Sequence, residues 1–130
     1  MRVVGIVVVA LCFLACKKME DKSGPEVSNL KHSYYTDTSN VKWLVFEAEI
    51  EDDYSLQYYF FSLYPSSFID STDKIPLDYT RFKKISGIKS NMYLQFPLYD
   101  SIYKGEYKYR LDVADIQNRI VRLDDSLLVE

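Results

Sequence analysis

From Pro25 to the C-terminus, apolar residues recur at every second position, and this constrains the fold more than any other feature of the chain. Successive side chains on an extended backbone point to opposite faces, so a period of two builds a sheet with one dry side. Glu106 to Val113 is the clearest case: Tyr107, Tyr109, Leu111 and Val113 face one way, Lys108, Arg110 and Asp112 the other. Val41 to Glu51 sets Leu44, Phe46, Ala48 and Ile50 against Glu47, Glu49 and Glu51. Asn91 to Pro97 aligns Met92, Leu94 and Phe96. Leu56 to Tyr64 is almost continuously aromatic and apolar, as expected for a central strand. Glu26 to Tyr34 and Ile120 to Val129 supply an opening and a closing strand, and residues 79–88 a weaker one near an edge.

Turn signals separate these runs at Asp37-Ser39-Asn40, Asp52-Asp53, Ser86-Gly87, Lys104-Gly105 and Gln117-Asn118. No stretch combines helical spacing with caps, and no internal repeat is visible. About seven strands in about 105 residues predict an all-β antiparallel sandwich over residues 25–130. Pro65 to Asp78 breaks the pattern. Loops of this length are uncommon in compact domains unless they have a use. Phe68 and Ile69 within it either cap one open end of the core or present themselves to a partner.

The N-terminus is of another kind. Arg2 is followed by residues 3–15, which carry no charge, and then by Cys16-Lys17-Lys18. As a helix, that run spans about 20 Å, short of a hydrocarbon core of about 30 Å. The length suits a cleaved signal peptide over residues 1–15. Phe13-Leu14-Ala15-Cys16 resembles the lipobox of bacterial lipoproteins. That resemblance implies lipidation of Cys16 with a diacylglyceryl thioether and an N-acyl chain, enough for stable anchoring. Residues 16–24 then form a lipidated polar tether. The expected location is the cell envelope, lipid-anchored at the outer membrane of a Gram-negative bacterium. Cys12 leaves with the signal and Cys16 is acylated, so the mature domain has no thiol for a disulfide, a metal or a nucleophile. Loss of Arg2 leaves 15 basic residues against 19 acidic, a net charge of −4. The charges are interspersed, which disfavours nucleic-acid binding.

Lys104 to Arg119 reads Lys-Gly-Glu-Tyr-Lys-Tyr-Arg-Leu-Asp-Val-Ala-Asp-Ile-Gln-Asn-Arg. It resembles the penultimate strand of bacterial Ig-like domains. Glu47 to Phe60 resembles their earlier hairpin, an alternating strand, Asp-Asp, and an aromatic strand. With Cys16-Lys17-Lys18 and Pro25-Glu26-Val27, the order is similar to small Bacteroidota-type lipoproteins of unknown function that carry an Ig-like domain. The resemblance implies an Ig-like sandwich. Gln117 stands where that pattern has Gly, so a different turn is expected there. Gly105 suits a strained or closely approached backbone, and Tyr107 a corner tyrosine whose hydroxyl meets a backbone carbonyl.

Catalysis has little to draw on. His32 is the only histidine, so a Ser-His-acid set lacks a choice of base. Paired carboxylates are plentiful, but glycoside hydrolysis needs them across a cleft. Their more credible use is calcium, with Asp52 and Asp53 approaching Asp115 and Asn118 at one end of the sandwich; the alternative is turn formation. No cofactor is expected. The 12 tyrosines invite a glycan-binding reading, because their rings stack on sugars and their hydroxyls hydrogen-bond. Tyr34, Tyr35, Tyr58, Tyr59, Tyr99 and Tyr103 include adjacent pairs, of which one member faces outward, and Tyr59, Tyr99 and Tyr103 are the candidates, beside Phe68 and Ile69 in the loop. The expected function is a lipid-anchored module for binding or protein interaction without catalysis. A structural subunit of an envelope complex and a glycan-binding module are the alternatives.

Overall fold

The computed structural model describes residues 23–67, 69 and 73–130. Seven strands make up two antiparallel sheets, with no helix among the described residues. They are β1 (Glu26–Thr36), β2 (Lys42–Glu51), β3 (Leu56–Pro65), β4 (Tyr79–Lys84), β5 (Lys89–Leu98), β6 (Gly105–Asp115) and β7 (Ile120–Val129). One sheet has the order β1-β2-β5 and the other β4-β3-β6-β7. The chain passes between sheets at β2–β3, β4–β5 and β5–β6, which folds the two over a common core.

The inward faces are those set by the alternation. Leu44, Phe46 and Ile50 of β2 are fully buried, as are Tyr107, Leu111 and Val113 of β6. Phe46 lies at the centre, 4.9 Å from the rings of both Phe61 and Tyr109. Each such side chain contributes about 1.5–3 kcal/mol by leaving water. The weak strand near an edge is β4, and it stops at Lys84 because Gly87 turns the chain at φ 76°. The opening strand runs on to Thr36, and a bulge at Asn29, φ 53°, breaks its register between Ser28 and Lys31.

Two turns are built alike. Asp37 Oδ1 accepts from the amides of Ser39 and Val41, and Asp115 Oδ1 from those of Gln117 and Arg119. The third residue after each aspartate, Asn40 or Asn118, takes φ of 64° or 61° and donates its amide to the aspartate carbonyl. An Asp-x-x-Asn segment therefore encodes each hairpin: a side-chain-capped turn followed by one left-handed residue. This explains why Gln117 can replace a glycine. The left-handed position is Asn118, and Asn tolerates it.

The Pro65–Asp78 segment is stitched down where it is described. Ile75 exchanges backbone hydrogen bonds with Ser101 and Tyr103, at 2.7 and 2.8 Å. Tyr107 is the corner residue. Its hydroxyl donates to the Tyr103 carbonyl at 2.7 Å and accepts from the Leu77 amide at 3.2 Å. Gly105, φ 152°, leaves room for the Tyr103 ring: a Cβ there would lie 2.8 Å from it.

Candidate ligand-binding face

The sequence-level candidates separate in space. Tyr59 is in the core, 2% exposed, which removes it as a surface binder. A bulge between Leu56 and Tyr58 inverts the phase of β3, so Tyr59 follows Leu56 inward. Tyr58 faces out instead, against Phe82. Tyr103 is half-buried and packs on Tyr107 as part of the corner. Ile69 is half-buried, Tyr99 is exposed, and Phe68 lies outside the described residues. Cys16, with the whole signal segment, also lies outside them.

The calcium grouping is not built. Its two turns do meet, through a bond from the Ile116 amide to the Ser55 carbonyl. One oxygen of each buried carboxylate, however, is taken up in making its turn, while Asp52 Oδ1 is buried without a hydrogen-bond partner. Asp52 Oδ2 accepts from the amides of Tyr54 and Ser55. Buried Asp115 caps its own hairpin and faces the Arg119 guanidinium at 3.3 Å. Asp53 is an exposed turn residue, and Asn118 supplies the left-handed turn. Among the described residues, no group of three or more His, Cys, Asp or Glu is placed to hold a metal. His32 is exposed in β1, its ring 6.2, 6.4 and 6.1 Å from those of Tyr34, Phe46 and Tyr109.

A different set of side chains converges on the outer face of the β1-β2-β5 sheet. Register places Tyr35 of β1, Trp43 of β2 and Pro97 of β5 in one row. The next row is Ser33, Val45 and Gln95, and the one after it Lys31, Glu47 and Tyr93. The rings of Tyr35 and Trp43 are parallel within 7°, with centroids 6.2 Å apart. At that spacing the stack is an offset one. Both are fixed at their polar ends. The Trp43 indole donates to Asp37 Oδ2 at 2.9 Å, and the Tyr35 hydroxyl to Gln95 Oε1 at 2.9 Å. To reach Gln95, Tyr35 must cross β2. Val45 lies below that path, and it is only 4% exposed although it faces outward.

The electrostatics follow from these bonds. The Trp43 indole, then the Val41 amide, hold the Asp37 carboxyl below its ordinary range. Desolvation, then the neighbouring Tyr93 and Asp37, push the Tyr35 hydroxyl up, so it stays a neutral donor. Beside the rings lies a depression of about 370 Å³ lined by Asn29, Lys31, Glu47, Glu49, Asn91 and Tyr93. Asn29 donates to Glu49 at 2.8 Å, and Lys31 pairs with Glu47 at 3.5 Å. The face is thus half aromatic and half polar.

Sequence reasoning included Tyr35 among the adjacent tyrosine pairs but passed over Trp43, Tyr93, Gln95 and the anchoring role of Asp37. Part of the signal was available. The alternation that buries Leu44 and Phe46 also turns Trp43 outward, and an outward tryptophan is an unusual residue to leave on a sheet.

No protein-family model matches the chain, and no curated protein does. Among solved structures it is similar to catalytically inactive OgpA from Akkermansia muciniphila, solved in complex with an O-glycopeptide (glycodrosocin) substrate. The TM-score is 0.52 at 5% identity, over 82% of this chain and 29% of that one. The chain therefore spans less than a third of that protein, and the likeness establishes the fold alone.

Proposed function

We propose that the protein is a non-catalytic binding module of the cell envelope, tethered by lipid at Cys16, whose β1-β2-β5 face takes a saccharide chain. The observation that carries this reading is the Tyr35–Trp43 pair. Two aromatic rings on the outer face, Tyr35 exposed and Trp43 half-buried, lie parallel with both heteroatoms held by partners. Rings fixed in advance lose little entropy on binding. Their faces suit the C–H faces of sugar rings, and the carboxylates and amides of the adjoining depression suit sugar hydroxyls. The lipid tether is supported by the uncharged run that ends at Cys16-Lys17.

The test uses Trp43, the only tryptophan, as the reporter. Saccharides that bind should shift its emission on titration. Tyr35→Ala and Tyr93→Ala should each weaken binding at least tenfold, about 1.4 kcal/mol, without altering the circular dichroism. If saccharides that bind leave Trp43 unchanged, or the two variants bind like the wild type, this face is not the site. A second reading, a protein partner, has its own support. On the outer face of the other sheet, exposed Phe82 packs on Tyr58 at 5.0 Å, and Ile120 is exposed on the same face. Phe82→Ser would then abolish capture of the partner and leave the saccharide response intact.

A further inference from the structure

Three turns meet at the pole of the sandwich where the described chain begins. The Asp52 amide donates to the Ile88 carbonyl at 2.9 Å, joining the β2–β3 turn to the β4–β5 turn. The Ile116 amide donates to the Ser55 carbonyl at 3.1 Å, joining it also to the β6–β7 turn. Ser23 and Gly24 seat beside all three. They line a depression of about 220 Å³ with Asp52, Asp53 and Ile88, and a Cβ on Gly24 would lie 3.7 Å from that of Arg119.

Each turn carries one large apolar side chain into solvent: Tyr54 at 44%, Ile88 at 53% and Ile116 at 45% exposure. Turns are ordinarily built of Gly, Asn, Asp and Ser, and the side chains of these three residues take no part in the hydrogen bonds that cap the turns. One exposed apolar side chain needs no reason; three on adjacent tips around the incoming chain do.

We infer that this pole docks on the lipid surface, with Tyr54, Ile88 and Ile116 seated at the boundary between headgroups and acyl chains. The inference rests on the lipid anchor at Cys16. From Cys16 to Ser23 the chain can extend at most about 25 Å, so this pole and no other is held near the bilayer. Confinement of that kind makes a weak contact sufficient. Charge does not drive it. Of the cations at the pole, Lys89 pairs with Glu51 at 3.6 Å and Arg119 with Asp115 at 3.3 Å, while Glu26 and Asp53 add negative charge. The contact of the pole itself is therefore apolar, and it places the aromatic row of Tyr35, Trp43 and Pro97, at the far end of β2, away from the membrane.

The acylated full-length protein, in phosphatidylcholine vesicles, tests this. Because the mature chain has no free thiol, Ile88→Cys or Thr38→Cys can carry a single nitroxide. Thr38 is exposed in the turn at the other end of β2. The label at 88 should collide more with oxygen than with a water-soluble nickel chelate; the label at 38 should show the reverse. The pattern should persist in 1 M salt, and Tyr54→Ser with Ile116→Ser should shift the label at 88 toward the aqueous pattern. A label at 88 as water-exposed as that at 38, on a chain whose Cys16 is acylated by mass spectrometry, overturns docking and leaves the anchor standing. An unmodified Cys16 overturns both.

Discussion

Removing one oxygen atom from Tyr107 should cost about 2 kcal/mol, more than the ordinary value of about 1 kcal/mol for a hydrogen bond. The reason is that the hydroxyl serves two backbone groups. It donates to the Tyr103 carbonyl at 2.7 Å and accepts from the Leu77 amide at 3.2 Å. Tyr107→Phe deprives both. Tyr103 and Leu77 are half-buried, so water replaces part of what is lost, which keeps the effect near the lower bound for two orphaned groups. Tyr107→Ala also empties a site that is 0% exposed and adds the about 3–5 kcal/mol for truncating a buried aromatic, for a total of about 5–7 kcal/mol. Against a typical stability of about 5–15 kcal/mol, the Ala variant is close to unfolding and the Phe variant is not. Urea melts give the two differences. Hydrogen exchange at the Leu77 amide tests the cause: protection should fall in Tyr107→Phe by more than the global loss of stability accounts for. A Phe variant within about 0.5 kcal/mol of wild type, with Leu77 still protected, would refute the bridging role.

Other outcomes follow from the same contacts. Burial, then Asp125, push the Tyr109 hydroxyl up to about 12. A raised value means that the native state keeps a proton the unfolded chain has lost, so stability should be full below about pH 10 and fall as the pH rises toward 12; Tyr109→Phe should flatten that slope in pH-dependent melts. Asp37 has a lowered value, so its contribution is present above the ordinary carboxyl range and is lost as the pH falls through its folded value. Asp37→Asn should remove that acid sensitivity and change the emission of Trp43. Gly105→Ala should destabilise by at least about 1 kcal/mol in thermal melts, because φ is positive and the new Cβ meets the Tyr103 ring. Cys16→Ser should release the protein from the membrane fraction; unchanged retention would sink the lipid-anchor reading.

The faces of β2, β5 and β6 were determined by the sequence alone. A period of two is a property of the extended backbone, so Leu44, Phe46, Met92, Leu94, Tyr109 and Val113 needed no partner to declare their side. The Asp-x-x-Asn turns are local in the same sense, since every bond that defines them lies within five consecutive residues. Tyr59 shows where locality ends. Tyr58-Tyr59-Phe60-Phe61 is aromatic on both phases, and only the pairing with β6 fixes the bulge that turns Tyr59 in and Tyr58 out. The candidate face was beyond the sequence for the same reason. Tyr35 and Gln95 are 60 residues apart and meet only because β1 and β5 flank β2. The acidic turns also needed the third dimension, because a carboxylate in a sequence is an open acceptor until its backbone folds around it. Alternation specifies which side of a strand is dry. Which strands lie side by side, and hence which side chains share a surface, depends on the packing of the two sheets over one core.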